Sequence, residues 1–241
     1  MRTSPVPSLC VPTLASSAST DRGLELRTQT WAPLGAAAAL AGVLLLAAMG
    51  TGPDELSVIA GASGRFLLGN ALTFVGTALI GAGLLAIGHG CAEHGHRVAS
   101  ILSRVAGVGW LLHSALIAHN AVSYELAVFP DRVAAAELES QVYAGPVFLG
   151  LLLPMLALTV LGTIGAALAL WRAGHMPVWV AACLGLAIVS DFIAPERFSG
   201  IPMFALLLAG FVGLWRSSRS AAGLSGTVGG LPREAVDARS A

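Results

Sequence analysis

The chain has 241 residues, of which 56% are apolar and only 11% are charged, and its formal net charge is zero. A water-soluble globular protein carries roughly 25% charged residues because its surface must face water. Together with a mean hydropathy of +0.79, this shortage of charge excludes a soluble globular protein. It predicts an all-α polytopic membrane protein whose outer surface faces lipid.

The first 30 residues predict a tail and not a membrane helix. Residues 3–20 carry no charge but are rich in Ser, Thr and Pro, a composition that favours disorder. They also lack the continuous apolar stretch of a cleaved signal peptide. We therefore interpret residues 1–30 as a disordered cytoplasmic tail.

Six apolar stretches without Asp, Glu, Lys or Arg follow the tail, at 28–53, 66–92, 105–124, 140–171, 173–190 and 198–215. A helix rises 1.5 Å per residue, so about 20 residues cross a hydrocarbon core of ~30 Å. The first four stretches are long enough, and apolar flanks lengthen the last two. We predict one transmembrane domain, 31–216, with spans near 33–51, 66–89, 101–124, 145–171, 177–194 and 200–215.

The arginines predict the side of the membrane that each loop faces. All 13 basic residues are arginine. With six spans, most of them lie on the side shared by both termini, and the other side holds Arg65, Arg132 and Arg197. Because basic residues concentrate in cytoplasmic loops, both termini are predicted to be cytoplasmic.

Two segments outside the spans have their own character. The outer loop between spans 3 and 4, from Phe129 to Tyr143, is predicted to form a short helix at the membrane interface. Residues 217–241 are rich in Gly and Ser and are interpreted as a second disordered cytoplasmic tail. Neither tail is large or apolar enough to form a catalytic domain.

The inner loop between spans 4 and 5 carries a recognisable motif. Gly174 is suited to a left-handed helix cap, and Pro177 to the start of the next helix. The segment from Leu170 to Trp179 resembles a loop of six-span bacterial integral membrane proteins of unknown function, in which span 4 ends in Leu-x-Arg-x-Gly and span 5 begins with Pro-x-Trp. Residues 64–70 are similar to the same family. The resemblance implies six helices and a bacterial cytoplasmic (inner) membrane, and it brings no catalytic residues.

Polar residues recur at seven-residue spacing in spans 2 and 3. Asn70 and Thr77 lie on span 2, and His113 and Asn120 lie on span 3. In an antiparallel hairpin that turns near Gly95, the residue numbers of facing positions add up to about 190.

This register predicts a polar seam between the two spans. It pairs Asn70 with Asn120, Thr77 with His113, and Arg65 with Glu125 at the outer rim. Polar groups in lipid need partners, so the seam is interpreted as hydrogen bonding between helices. Ionisable groups inside a membrane otherwise indicate a site, so a solute path through the seam stays open.

Span 2 also carries glycines at seven-residue spacing, at positions 69, 76, 83 and 90. A heptad stripe of glycine lets a neighbouring helix approach closely. We expect the close approach at Gly76 and Gly83 to bring spans 2 and 3 together.

The loop after span 2 contains five potential metal ligands within eight residues, namely His89, Cys91, Glu93, His94 and His96. Such side chains could bind zinc or another soft divalent ion. Their spacing matches no established template, so no metal and no other cofactor is assigned.

Other chemistries need arrangements that the sequence lacks. A b-type haem needs two axial ligands on facing helices, whereas His113 and His119 share one helix. The segment 61–64 is similar to the Gly-x-Ser-Gly of rhomboid proteases, but its Ser63 precedes span 2 and no Gly-flanked His follows. No catalytic residue is assigned.

We therefore expect a non-catalytic, membrane-embedded binding, accessory or sensor protein. One alternative is a transporter or channel that passes a small neutral or weakly basic solute through the seam, helped by helix breaks at Pro154, Pro195 or Pro202. Another is a metal-dependent membrane enzyme that uses the His89–His96 cluster. The expected partner is the lipid bilayer, with a second copy or another membrane protein as a further candidate and no nucleic acid.

Overall fold

A computed structural model describes residues 30–49, 55–194, 198 and 200–228, with side chains described as far as Ser218. The predicted tail over 1–29 and the residues from 229 onward lie outside the described residues. Within the described ranges the chain is helical and contains no strand. The helices are α1 (Trp31–Ala47), α2 (Glu55–Gly61), α3 (Ser63–Glu93), α4 (Arg97–His119), α5 (Ala121–Ala127), α6 (Arg132–Ala144), α7 (Pro146–Arg172), α8 (Val178–Ile193) and α9 (Ile201–Val228).

Four segments are long and apolar enough to cross a membrane: Ser63–Glu93, Arg97–Ala127, Pro146–Arg172 and Ile201–Ser218. Helices α1 and α8 are also apolar but have only 17 and 16 residues. At 1.5 Å per residue they are about 26 and 24 Å long. The chain is thus an all-α protein with four helices able to span a membrane, as expected for a membrane protein.

The six longer helices pack as a closed ring. In order, α1 contacts α3, α3 contacts α4, α4 contacts α7, α7 contacts α8, α8 contacts α9, and α9 returns to α1. Large side chains fill the interior, among them the fully buried Trp110, Phe204 and Phe211. The rings of Trp110 and Phe204 are 6.1 Å apart, which joins α4 to α9 across the bundle.

Glycines set the close helix contacts, but not between the helices that the sequence predicts. A Cβ atom on Gly76 would lie 2.5 Å from the amide nitrogen of Ala39 on α1, and one on Gly83 would lie 2.8 Å from the Cβ of Ala32. The heptad stripe of α3 therefore packs against α1. The expectation that Gly76 and Gly83 join spans 2 and 3 is wrong.

A different pair of glycines joins α3 to α4. A Cβ atom on Gly81 would lie 2.9 Å from the carbonyl oxygen of Gly107, and the converse distance is also 2.9 Å. The two helices are connected by a turn at Gly95, whose φ of 80° requires glycine. The predicted turn position is confirmed.

The turn between α7 and α8 also follows the predicted geometry. Gly174 has a φ of 76°. The amide of His175 donates to the carbonyl of Leu170 at 3.0 Å, which closes the end of α7. Pro177 stands immediately before α8, where a fixed φ favours the start of a helix.

The short helices α2, α5 and α6 form a cap at one end of the bundle. A second apolar cluster holds the cap to α3, and it contains Leu56, Ile59, Phe66, Leu126, Ala127 and Ala135. The carboxylate of Asp131 accepts hydrogen bonds from the amides of Val133 and Ala134, each at 3.1 Å, and so caps α6. A helix in this loop was predicted and is confirmed.

Two predictions differ from the structure: the helix break at Pro154 and the end of span 6. Helix α7 continues through Pro154, because freed backbone groups in a membrane helix can find other partners. Pro202 is the second residue of α9, and Pro195 lies outside the described residues. Helix α9 extends to Val228, past the predicted end of span 6 at residue 215. Arg216 ends the apolar stretch there, but arginine is a good helix former.

Candidate functional site

The polar pair Asn70 and Asn120 lies where the cap meets the bundle. The Nδ2 of Asn120 donates to the Oδ1 of Asn70 at 2.8 Å. Asn70 projects from α3 and donates through its own Nδ2 to the carbonyl of Phe66 at 2.9 Å. Asn120 occupies the junction between α4 and α5. The structure therefore brings these two residues together in the register expected for the seam.

Two hydroxyl groups extend this pair into the cap. The hydroxyl of Tyr143, on α6, donates to the Oδ1 of Asn120 at 3.4 Å, and it lies 2.9 Å from the Oγ of Ser123 on α5. Because a phenol has one proton, Ser123 donates to Tyr143 when Tyr143 donates to Asn120. The result is one chain of hydrogen bonds from Ser123 through Tyr143, Asn120 and Asn70 to the backbone of α3.

A pocket of about 270 Å³ opens beside the asparagine pair. The end of α1, the start of α3, three residues of α2 and the α4–α5 junction contribute to it. Its lining residues are Leu46, Met49, Glu55, Val58, Ile59, Phe66, Asn70 and Asn120. The lining is thus mostly apolar, with one carboxyl group and two carboxamides. We call it the outer pocket.

Among the described residues, no basic side chain pairs with the acidic groups near the outer pocket. Glu55 is exposed as a residue, yet partial burial of its carboxyl group raises its pKa, and the negative charge of Glu139 raises it further. The Oε1 of Glu139 is buried and has no hydrogen-bond partner among the described residues. In the described part of the chain neither residue takes part in an ion pair.

Tyr143 experiences the same acidic surroundings. Burial raises the pKa of its hydroxyl, the hydrogen bond with Ser123 lowers it, and the charges of Glu139 and Glu55 raise it again. The pKa of Tyr143 is raised on balance, so this phenol stays protonated and can donate to Asn120. The acidic groups therefore help to maintain the hydrogen-bond chain.

His119 packs against two aromatic side chains beside the cap. Its ring lies 5.5 Å from the ring of Tyr143 and 5.4 Å from that of Phe148. Its Nε2 is buried and has no hydrogen-bond partner among the described residues. The ring acts as an aromatic packing partner for Tyr143, which positions the phenol.

The deeper half of the predicted seam is built differently. Thr77 is fully buried, and its hydroxyl lies 3.0 Å from that of Ser114, not from His113. His113 instead stacks on Trp110 at 5.3 Å, within electrostatic range of Asp191. Adjacent residues lie 100° apart around a helix. Because Ser114 faces α3, its neighbour His113 faces the interior of the ring of helices instead.

The predicted rim pair is also not formed. The guanidinium of Arg65 donates to the carbonyl of Ala48 at 3.3 Å, and Glu125 is exposed. Among the described residues no ion pair joins Arg65 to Glu125.

The potential metal ligands lie in the last turns of α3 and in the turn before α4, and they contact different partners. His89 contacts Glu93 at 3.2 Å on an exposed face, Cys91 is buried in the bundle, and His94 contacts the carbonyl of Gly90 at 2.8 Å. In residues 30–49, 55–194 and 200–228, no group of three or more His, Cys, Asp or Glu side chains is arranged to hold a metal ion.

His96 makes a contact that links the two inner turns. Its ring packs edge-on against that of His175 at 4.5 Å. Burial, together with the charges of His96 and His94, lowers the pKa of His175. The contact therefore favours the neutral form of His175 and a structural role.

Four residues in or beside the outer pocket and its hydrogen-bond chain were not predicted as site residues from the sequence, namely Glu55, Ser123, Glu139 and Tyr143. These residues come from three short helices with no shared spacing, and the orientation of the loops was predicted from arginines alone. An unusual accumulation of acidic and aromatic residues in one predicted outer loop was the available signal.

Comparison of the chain with protein-family models, with curated proteins and with solved structures finds no match.

Proposed function

We propose that the chain is a six-span protein of the bacterial cytoplasmic membrane with both termini in the cytoplasm. The support is the ring of six apolar helices, in which neighbours along the chain run in opposite directions. An even number of alternating helices brings both ends of the domain to one end of the bundle. Helices α1 and α8 are short for a span, and local bilayer thinning accommodates such helices at modest cost.

Aromatic and basic residues support this orientation. Trp31, Trp171, Trp179 and Trp215 lie near the end of the bundle where α1 begins and α7 ends, and tryptophan is enriched at membrane interfaces. The same end holds the described arginines at 97, 104, 172 and 216, against Arg65 and Arg132 at the other. Because cytoplasmic ends are rich in arginine, the cap and the outer pocket face outward.

Within this topology the protein acts without catalysis, as a binding protein with an accessory or sensor role. The observation that carries this proposal is the outer pocket with its border of linked carboxamides. Pockets that combine an apolar wall with a few convergent polar groups are the usual form of small-molecule sites. Occupation of this pocket would connect α1, α2, α3 and the α4–α5 junction.

Passage of a solute through the seam has less support. A path inward from Asn70 would meet Thr77 and Ser114, which are buried and bonded to each other. Below them the backbones of α3 and α4 approach closely at Gly81 and Gly107. Binding at the outer surface therefore accounts better for the arrangement than transport does.

The test is a thermal-shift screen of the purified protein in nanodiscs with small polar solutes. Val58 lines the outer pocket and is half-buried, so Val58→Trp should fill it. Val133 is 80% exposed on α6, so Val133→Trp is the matched control. We expect at least one solute class to raise Tm in the wild type and in Val133→Trp, but not in Val58→Trp.

Either of two results would remove the proposal. Equal shifts in Val58→Trp would locate the binding elsewhere, and no shift with any solute class would leave the pocket without a ligand. Solute flux in proteoliposomes, measured in parallel, would favour the transport alternative.

A further inference from the structure

We infer that the outer pocket selects a small organic ammonium ion that carries a short apolar group, an inference that rests on the binding function proposed above. The pocket combines three features that no single other ligand class satisfies: a net negative field, free carbonyl acceptors and an apolar wall. Each feature comes from a different part of the fold.

The negative field comes from Glu55 and Glu139. Glu55 lines the pocket, and Glu139 lies close enough for its negative charge to act on the carboxyl group of Glu55. The nearby arginines contact backbone carbonyls and form no ion pair with these two acids among the described residues: Arg65 donates to the carbonyl of Ala48, and Arg132 donates to that of Ala127. A carboxylate that is partly removed from water needs a compensating charge. A cationic ligand supplies that charge, and an anionic ligand would be repelled.

The acceptors come from the asparagine pair. An amide oxygen has two lone pairs. The Oδ1 of Asn70 accepts one hydrogen bond from Asn120, and the Oδ1 of Asn120 accepts one from Tyr143. Among the described residues neither oxygen has a second hydrogen-bond donor, so one lone pair on each is available to a ligand. An ammonium group has three N–H donors, so it can bind one carboxylate and two carbonyl oxygens together.

The apolar wall sets the rest of the ligand. Leu46, Met49, Val58, Ile59 and Phe66 contribute only carbon and sulfur atoms from their side chains to the pocket. Burial of apolar ligand surface against such a wall favours binding. A volume of about 270 Å³ is below the ~300–1,000 Å³ of drug-sized sites, so the apolar group must be short.

A metal ion fits this pocket poorly. Glu55 is the one carboxylate among the lining residues, and the described residues contain no group of three or more His, Cys, Asp or Glu side chains placed to hold a metal ion. The apolar wall would also contribute nothing to a small inorganic cation. The observations therefore favour an organic cation.

The experiment compares three ligands of equal chain length: pentylamine, pentanol and pentanoate. Affinity is measured by titration calorimetry on the full chain in nanodiscs, and binding to Val58→Trp is subtracted as partition into lipid. We expect the wild type to bind pentylamine at least tenfold more tightly than pentanol, and pentanoate least. Glu55→Gln should reduce the affinity for pentylamine at least tenfold and leave that for pentanol unchanged.

Glu137→Gln is the matched control, because Glu137 is an exposed acid of the same cap. It should bind all three ligands as the wild type does. If Val58→Trp does not fold, Met49→Trp fills the same pocket and serves for the subtraction. Glu55 is exposed, so Glu55→Gln keeps the fold.

The possible failures can be told apart. Pocket-dependent binding of pentanol or pentanoate at least as tight as that of pentylamine would overturn the ammonium inference and keep the binding function. Unchanged pentylamine affinity in Glu55→Gln would have the same consequence. No pocket-dependent binding of any of the three ligands would also overturn the inference, and the wider solute screen would then decide the binding function.

Discussion

The carboxamide of Asn120 donates a 2.8 Å hydrogen bond to that of Asn70, across two antiparallel helices that are joined by a turn at Gly95. The bond belongs to the same register as the contact of Thr77 with Ser114 and the approach of Gly81 to Gly107. It also borders the outer pocket. One contact therefore connects the packing of the bundle with its candidate site.

A cysteine pair tests this register directly. In Asn70→Cys with Asn120→Cys, the two thiols should replace the hydrogen-bonded amides and crosslink under mild oxidation. Disulfides form where the Cα atoms lie within about 7 Å of each other, so the crosslink also reports how closely the two helices approach at this position. The measurement is the shift in electrophoretic mobility after cleavage of an engineered protease site in the loop near Gly95.

Leu68→Cys with Asn120→Cys is the matched control, because Leu68 is 54% exposed on the outer surface of α3. This pair should stay reduced. Absence of a crosslink in the Asn70 pair, in protein that elutes as a folded species, would contradict the register and the border of the pocket together.

The Asn70–Asn120 contact is the part of the seam that could be predicted from the sequence. Asn70 and Asn120 are polar residues in apolar surroundings, so each needs a partner, and a turn position fixes which residues can meet. The same reasoning missed Ser114 by one residue, because serine can bond to its own helix and gives a weak signal in a sequence. Ser114 also donates to the carbonyl of Trp110 at 3.1 Å.

The glycine stripe shows a second limit. Spacing identifies one face of a helix but not the helix that packs against it, and α3 has close neighbours on two sides. Gly76 faces α1, whereas Gly81 faces α4. The outer pocket and the hydrogen-bond chain beside it were less predictable still, because Glu55, Ser123 and Tyr143 lie on three different short helices with no shared spacing.

Gly76→Leu should destabilise the packing of α1 on α3. A Cβ at this position would lie 2.5 Å from one backbone atom of α1 and 2.6 Å from another, and the backbone cannot move aside easily. Overpacking typically costs ~1–3 kcal/mol, so a clear fall in Tm is expected. Differential scanning fluorimetry in detergent measures it.

Gly150→Leu provides the comparison, since no atom lies within 4 Å of a Cβ built there and the residue is exposed on an apolar helix. Its Tm should match that of the wild type. Equal losses of Tm in the two variants would mean that the stripe does not determine packing against α1.

The stability of the protein should depend on pH through Glu55. Partial burial and Glu139 raise the pKa of Glu55 above its ordinary value, so the folded state holds this proton more tightly than the unfolded chain does. Between the two pKa values the folded state binds more protons, and stability falls as pH rises. Glu55→Gln removes this loss, so its Tm should exceed that of the wild type by an amount that grows as pH rises above about 4.5, the ordinary pKa of the side chain.

Glu137→Gln controls for the change in net charge, because Glu137 is exposed on the same cap. Its Tm relative to the wild type should stay constant over that range. A Tm difference for Glu55→Gln that shrinks with rising pH would show that the Glu55 carboxylate is stabilised by the fold and not penalised by it.

Replacement of His113 should leave both the seam and the outer pocket intact. His113 stacks on Trp110 inside the ring, while Thr77 keeps its bond to Ser114. An aromatic pair contributes about 0.5–1.5 kcal/mol beyond its burial, and the buried leucine side chain offsets part of that loss, so His113→Leu should change stability by about 1 kcal/mol or less. Ligand affinity at the outer pocket should be that of the wild type, and a tenfold loss would indicate a path that runs past His113.

Reporter fusions test the proposed topology. Fusions after Ala173 and Arg219 should leave green fluorescent protein fluorescent and alkaline phosphatase inactive, because the arginine-rich end of the bundle should stay in the cytoplasm. A fusion near Asp131, at the cap, should give the opposite pattern. These three positions sample the turn after α7, the last third of α9 and the start of α6. An active phosphatase at Arg219 together with an inactive one at Ala173 would mean that α8 and α9 do not both cross the membrane. Helix α8, with only 16 residues, would then be the one that enters and returns.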